Sequence, residues 1–134
     1  MSQNWVRAAN LLTSEHFFYI VCLMSRRDYL GEFEHIVILA LMRLSDQAYG
    51  VTVRREIEVR TGREVSIGAI YATLGRLETK GYVHSYLGDP TPERGGRSKR
   101  FFRVTAKGVT AVNRTHRALH SMTEGLRLAG TYSQ

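Results

Sequence analysis

The fold is decided by residues 66–105, which read SIGAIYATLGRLETKGYVHSYLGDPTPERGGRSKRFFRVT. A helix is predicted over residues 67–80, because Ser66 is a good N-cap, Gly81 is a good stop and apolar residues recur between them at helical spacing. The predicted inward stripe consists of Ile67, Ile70, Leu74 and Leu77. Residues 82–87 alternate like a strand, residues 88–96 hold both prolines, and residues 101–104 resemble a second strand. The stretch therefore predicts a helix followed by a hairpin with a long tip.

Three further helices are predicted around this stretch. Residues 32–44 begin with acidic side chains and end near Arg43, as the helix dipole favours, and their middle is apolar on every face. A second helix covers about residues 52–61, and Thr105 caps a last helix that runs to about residue 128. The inward residues of the second helix are predicted to be Val53, Ile57 and Val59. This order predicts a mainly α (α+β) fold, a winged helix-turn-helix with a two-stranded wing and a further C-terminal helix.

The outer side of the predicted helix 67–80 is rich in small side chains. It carries Gly68, Ala69, Ala72, Gly75, Arg76, Thr79 and Lys80. Each glycine destabilises an isolated helix by about 1 kcal/mol. The two glycines on this outer face therefore indicate that a ligand approaches the helix backbone closely there. A DNA major groove accepts such a helix, with Arg76 reaching a guanine edge or a phosphate and Lys80 a phosphate. The alternative is that this Gly/Ala face packs on another helix.

The positive charge of the chain is concentrated in the same region. The net charge is +7, and residues 62–108 hold nine basic and four acidic residues. Positions 94–107 contain no acid and six basic residues, which are Arg94, Arg97, Lys99, Arg100, Arg103 and Lys107. Around a glycine pair at a hairpin tip, these side chains are expected to follow the phosphates or the minor groove of double-stranded DNA. The alternative is a winged-helix protein-interaction module whose basic wing faces an acidic protein or a membrane surface.

Five short motifs resemble the PadR-like family of transcriptional regulators. They are LGEFE at 30–34, AYG at 48–50, SIGAIY at 66–71, LGRLE at 74–78 and GGRSKRFFRVT at 95–105. The resemblance implies a homodimer that binds a palindromic operator, usually as a repressor released by a small molecule or another signal. It also implies that Tyr71, on the flank of the third helix, helps to contact DNA. The DNA-binding candidates are thus Ser66, Gly68, Ala69, Tyr71, Ala72, Arg76 and Lys80 on the helix, with Arg94, Arg97, Lys99 and Arg100 on the wing.

The last helix offers a seam for the dimer that the resemblance implies. Its apolar stripe, spaced by 3, 4, 3 and 4 residues, consists of Val112, Thr115, Leu119, Met122 and Leu126. The alternative is that this stripe folds back on its own domain. The helix 32–44, apolar all round, also requires a second partner, which a dimer would supply. Any effector pocket is expected between the dimer helices and the core. We therefore predict a DNA-binding domain over 31–104 and a dimerisation helix with its tail over 105–134.

Residues 1–30 form an N-terminal extension that departs from the family pattern. The stretch MSRRDY at 24–29 resembles the usual beginning of a family member, so we expect translation to start at Met24 and residues 1–23 to have no structural role. The alternative is an arm that packs on the dimer helices, with Trp5, Phe17 and Phe18 as anchors.

Other classes of protein are disfavoured. The longest apolar run, residues 17–24, is too short for a membrane span of roughly 20 residues, and the single Cys22 excludes an internal disulfide framework, as suits a cytoplasmic protein. No phosphate-binding loop or nucleophile motif is present, so neither an enzyme nor a cofactor is expected. His116, His120 and Glu124 lie nearly on one helix face, but no fourth ligand accompanies them and no metal is expected.

Overall fold

The computed structural model describes residues 29–89 and 98–128 and shows the predicted order of elements. The helices are α1 (Glu32–Leu44), α2 (Gly50–Thr61), α3 (Ile67–Thr79) and α4 (Ala106–Thr123), with a 3-10 turn at Ser45–Gln47, and the strands are β1 (Val83–Leu87) and β2 (Arg100–Val104). The mainly α winged-helix fold is therefore confirmed. The predicted N-terminal extension, with Trp5, Phe17, Phe18, Cys22 and Met24, lies outside the described residues, as do Arg94 and Arg97.

Local signals explain where most helices begin. The Ser66 hydroxyl accepts a hydrogen bond from the Ala69 amide at 3.1 Å, and the Thr105 hydroxyl accepts one from the Gly108 amide at 3.1 Å. Helix α2 begins two residues earlier than predicted, because the Thr52 hydroxyl turns back to accept from the amide of the preceding cap residue. These caps satisfy amides that have no partner within the helix.

Helix α4 is shorter than predicted. It ends at Thr123 rather than near residue 128, and Gly125 follows in the left-handed conformation at φ 77°. Glycine adopts this conformation at little cost and commonly ends helices, so the stop was readable from the sequence. Leu126 of the predicted seam therefore lies beyond the helix.

One core joins the first three helices. Its fully buried side chains include Ile38, Ile57, Ile70, Leu74 and Leu77. Two predicted inward residues are not part of it. Val59 is 75% exposed, and Ile67, at the first position of α3, is 36% exposed. The apolar period of a helix indicates its inner face, but the ends of that face extend beyond what the neighbouring helices cover.

The wing is anchored to the start of α2. Strands β1 and β2 pair antiparallel, from Val83 opposite Val104 to Leu87 opposite Arg100. A further bridge joins Phe101 to the residue before α2, and the next amide of β2 donates to the Ala48 carbonyl at 2.9 Å. The hairpin therefore leaves the body of the protein beside the helix-turn-helix rather than as an isolated ribbon.

Helix α4 divides into an inner and an outer half. In the inner half, Val112 and Thr115 are buried in their own protomer, and the Thr115 hydroxyl accepts a hydrogen bond from the Leu30 amide at 3.0 Å. In the outer half, Leu119 and Met122 are 59% and 77% exposed. Val112 and Thr115 therefore pack on their own domain, as the alternative to the dimer seam expects, and the seam stays a prediction for the outer half alone.

Candidate nucleic-acid interface

The outer face of α3 is open. Gly68, Ala72, Gly75, Arg76 and Thr79 are all exposed, and a Cβ added at either glycine would meet no atom within 4 Å outside its own helix. No helix or strand in the described part of the chain covers this face. The alternative that these small residues pack on another helix of the same protomer is therefore not what the structure shows. Ala69 differs from the others, because it is half-buried against the core.

Arg76 lies on this open face, and a hydrogen bond within α3 restrains its guanidinium group. Its Nη2 donates to the Thr73 hydroxyl at 3.0 Å, one helical turn earlier, and Thr73 is itself buried. A guanidinium has five N–H donors, so this bond leaves most of them available to a ligand. The bond restrains the long side chain, which lowers the entropy lost when the guanidinium binds a guanine edge or a phosphate.

Lys80 has a partner within the protein. Its Nζ lies 2.9 and 3.0 Å from the two carboxylate oxygens of Glu34 on α1, and this pair is part-buried. The Lys107 ammonium donates to the Lys80 carbonyl at 3.0 Å, so this end of α3 is fastened to both α1 and α4. An ammonium group has three N–H donors, so the two bonds to Glu34 leave one for another ligand. The ion pair with Glu34 packs Lys80 between α1 and α3, and its contact with a DNA phosphate stays a prediction.

Basic and aromatic side chains alternate at the base of the wing. The Lys99 Nζ lies 4.5 Å from the centroid of the Tyr49 ring, and Phe101 packs edge-on against that ring at 5.6 Å. The Arg103 guanidinium lies 5.4 Å above the ring of Tyr86 and 3.3 Å from the carboxylate of Asp46. The aromatic partners were not singled out in the sequence, because they are separated in the chain and meet only when the hairpin pairs with the residue before α2.

Positive charge on α2 is compensated locally. Arg60, helped by Arg43, holds the pKa of Glu56 below its usual value through hydrogen bonds to the carboxylate. Arg54 does the same for the pKa of Glu58, together with a bond from a backbone amide. Salt bridges between such exposed groups add little stability, but they compensate most of the positive charge on α2. At the base of the wing, residues 98–107 hold four basic side chains and no acid, so this part of the described chain carries a local excess of positive charge.

Residues 38–114, which run from α1 into α4, match the model of the transcriptional regulator PadR-like family. The chain belongs to the PadR-like family. As a PadR-like protein it is a DNA-binding transcriptional regulator and not an enzyme. Among curated proteins, no relative matches it.

Solved structures share the fold of this PadR-like protein. A PadR-like transcription factor from Bacteroides fragilis is 19% identical, with 78% of this chain and 92% of that chain covered and a TM-score of 0.61. A PadR family regulator from Eggerthella lenta is 21% identical over 84% and 93%, with a TM-score of 0.56. A winged-helix DNA-binding protein from STIV is 17% identical over 74% and 99%, with a TM-score of 0.56. These likenesses establish the winged-helix fold.

The described residues contain neither a metal-binding cluster nor a membrane-spanning helix. No group of three or more His, Cys, Asp or Glu side chains there is placed to hold a metal ion, and His120 instead lies 3.7 Å from Glu124. No helix within residues 29–89 and 98–128 has the length and hydropathy of a membrane span.

Proposed function

We propose that this PadR-like protein is a homodimeric repressor that reads a palindromic operator through α3. The open outer face of α3, with Arg76 restrained by Thr73, is the observation that carries the proposal. A face without covering side chains lets the helix backbone enter the major groove, where each base pair presents a distinct pattern of donors and acceptors. Arg76 then binds a guanine edge or a nearby phosphate.

The remaining interface residues fall into two groups in this proposal. On the helix, Tyr71 and the small residues border Arg76 and set how closely the backbone approaches DNA; they are Ser66, Gly68, Ala69 and Ala72. On the wing, phosphates are bound by basic side chains without base readout. These are Lys99 and Arg100 at the described base of the wing, together with Arg94 and Arg97, which lie outside the described residues.

A second copy of the chain is needed to complete the PadR-like protein in this proposal. Leu119 and Met122 are exposed on α4, and Leu39 and Met42 are exposed on α1, where they border an apolar groove of about 430 Å³ beside α2. Exposed apolar side chains of this kind often mark surface that a partner covers. A two-fold dimer buries the surface in both copies at once and places two recognition helices on two half-sites, which accounts for a palindromic operator.

The proposed assembly divides the chain into a DNA-binding part, residues 31–104, and a dimerisation part, residues 105–134. A small-molecule effector would act between the dimer helices and the core, where it could change the spacing of the two recognition helices. Because the partner is double-stranded DNA, we place the protein in the cytoplasm.

Binding to two duplexes tests the DNA-binding part of the proposal. The first duplex is the DNA upstream of the protein's own gene, and the second is an unrelated sequence of equal length, both at physiological salt. A sequence-specific regulator should prefer its operator by roughly a thousandfold or more. If the two duplexes bind equally, an operator is next selected from genomic DNA. Equal and strongly salt-dependent affinity for that selected operator and for random DNA would favour the protein-interaction module instead.

Three arginine variants separate the roles within the interface. Arg76→Ala should reduce the preference for the operator by about tenfold or more, since a base contact is worth roughly 1–3 kcal/mol. Arg97→Ala should weaken binding to every duplex similarly, because a phosphate contact carries no sequence information. Arg117→Ala removes an exposed positive charge from α4 and is the charge-matched control. If Arg76→Ala and Arg117→Ala behaved alike, α3 would not read bases through Arg76.

A further inference from the structure

Gly50, the first residue of α2, lies directly under the ring of Tyr71. A Cβ added at Gly50 would stand 2.5 Å from both the Cζ and the hydroxyl oxygen of Tyr71 and 2.9 Å from its Cε2. These separations are well inside van der Waals contact, which for carbon atoms is about 3.5–4.0 Å. The space that a side chain would fill at Gly50 is therefore occupied by the phenol of a residue on another helix.

Backbone geometry does not explain the glycine. The positive-φ glycines of the described residues are Gly62, Gly81 and Gly125, and Gly50 is not among them. Its conformation is one that alanine adopts readily, and alanine is the better helix former by about 1 kcal/mol in a helix interior. What distinguishes Gly50 is the approach of the Tyr71 ring.

Tyr71 lies where its orientation affects recognition. It is 46% exposed and borders the open face of α3 that carries Arg76. On its other side, the Tyr49–Gly50 junction also receives Lys99 from the wing, whose ammonium lies 4.5 Å from the Tyr49 ring. The recognition helix and the wing therefore meet α2 at two consecutive residues. A half-exposed tyrosine with no such contact would sample several rotamers and lose that freedom on binding.

We propose that Gly50 is a positioning residue for DNA recognition: by lacking a side chain it seats the Tyr71 ring against the start of α2 and presents the Tyr71 hydroxyl toward DNA in one orientation. The inference rests on the proposed function, because the contact of Tyr71 with DNA is itself part of that proposal. Gly50 touches no DNA and acts only through Tyr71.

A double-mutant cycle tests this coupling, with affinity for the selected operator measured by fluorescence anisotropy. Gly50→Ala should weaken operator binding about tenfold, because the displaced ring is no longer ordered in the free protein and loses conformational entropy when it binds DNA. Tyr71→Ala should weaken binding at least as much. In the Gly50→Ala/Tyr71→Ala double variant, the alanine at position 50 should add less than a twofold loss to that of Tyr71→Ala, since there is no ring left to displace.

Two further measurements separate positioning from folding. The ¹⁹F resonance of fluorotyrosine at position 71 should shift in DNA-free Gly50→Ala, and the melting temperature should change little, because the displaced atoms are the far end of a side chain. Gly31→Ala is the matched control, a glycine at the start of α1 whose added Cβ would meet nothing closer than 3.9 Å. It should leave the resonance and the operator affinity unchanged. If Gly50→Ala does not fold while the double variant does, the contact is equally supported.

The outcomes that overturn the inference differ from those that overturn the proposed function. Wild-type affinity in Gly50→Ala, or an equal loss with and without the Tyr71 ring, would show that Gly50 does not act through Tyr71. Wild-type affinity in Tyr71→Ala would remove Tyr71 from the interface and the inference with it. Failure of the wild-type protein to prefer any operator would instead overturn the proposed function, whereas an unmoved ¹⁹F resonance would overturn the inference alone.

Discussion

The outer half of α4 should hold the dimer together, and the variant Leu119→Ser/Met122→Ser should weaken it. Full burial of a leucine or methionine contributes about 1.5–3 kcal/mol relative to full exposure. Leu119 and Met122 are 59% and 77% exposed in the protomer. Burying this exposed part in a dimer should therefore contribute about 1–2 kcal/mol per side chain. Two residues in two copies give about 4–8 kcal/mol, and partial burial halves this to about 2–4 kcal/mol. The dimer dissociation constant should therefore rise roughly 30- to 1,000-fold.

Sedimentation velocity over a dilution series measures this constant directly. The matched control is Val59→Ser, which removes a 75% exposed apolar side chain from α2, away from the proposed seam. Because Leu119 and Met122 touch little of their own domain, the double variant should unfold at nearly the same denaturant concentration as the wild-type monomer. A dissociation constant within threefold of the wild-type value would refute the reasoning, and so would an equal effect of Val59→Ser.

Three predictions concern stability. Thr115→Val should lower the free energy of unfolding by about 1–3 kcal/mol in urea titrations, because the buried Leu30 amide loses its acceptor. Thr115→Ser keeps a hydroxyl and should retain most of the wild-type stability. A Thr115→Ser variant less stable than Thr115→Val would contradict the assigned bond. Gly108→Ala should cost about 3 kcal/mol in the same assay, since the added Cβ would overlap the Tyr82 carbonyl oxygen, and wild-type stability would show that α4 can shift freely. Burial lowers the pKa of His35, with its Nδ1 unpartnered, so the unfolded chain binds the proton more readily and stability should fall below about pH 6.5 by up to about 1.4 kcal/mol per unit. The non-titrating His35→Gln should flatten that slope, and an unchanged slope would assign it to other groups.

Much of the fold was predictable because its signals are local. Ser66 and Thr105 cap their helices through bonds that span three residues, and the apolar period of residues 67–80 marked the inner face of α3. The end of α4 is likewise a local signal, because Gly125 adopts the left-handed conformation just after Thr123. The candidate interface was predicted in the same way, since small residues on one helix face and basic residues in one loop are visible as patterns.

The sequence by itself thus determined the order of elements, the inner face of α3 and the basic character of the wing. Only the tertiary structure decided which groups meet: Lys80 pairs with Glu34, Thr115 binds the Leu30 amide, and Tyr71 lies on Gly50. The physical reason is that caps and periodicity arise from backbone geometry within a few residues, so the chain order contains them. Contacts between helices depend on packing distances that residue spacing does not encode. An apolar helix face must be covered, but the sequence does not show which element or partner covers it.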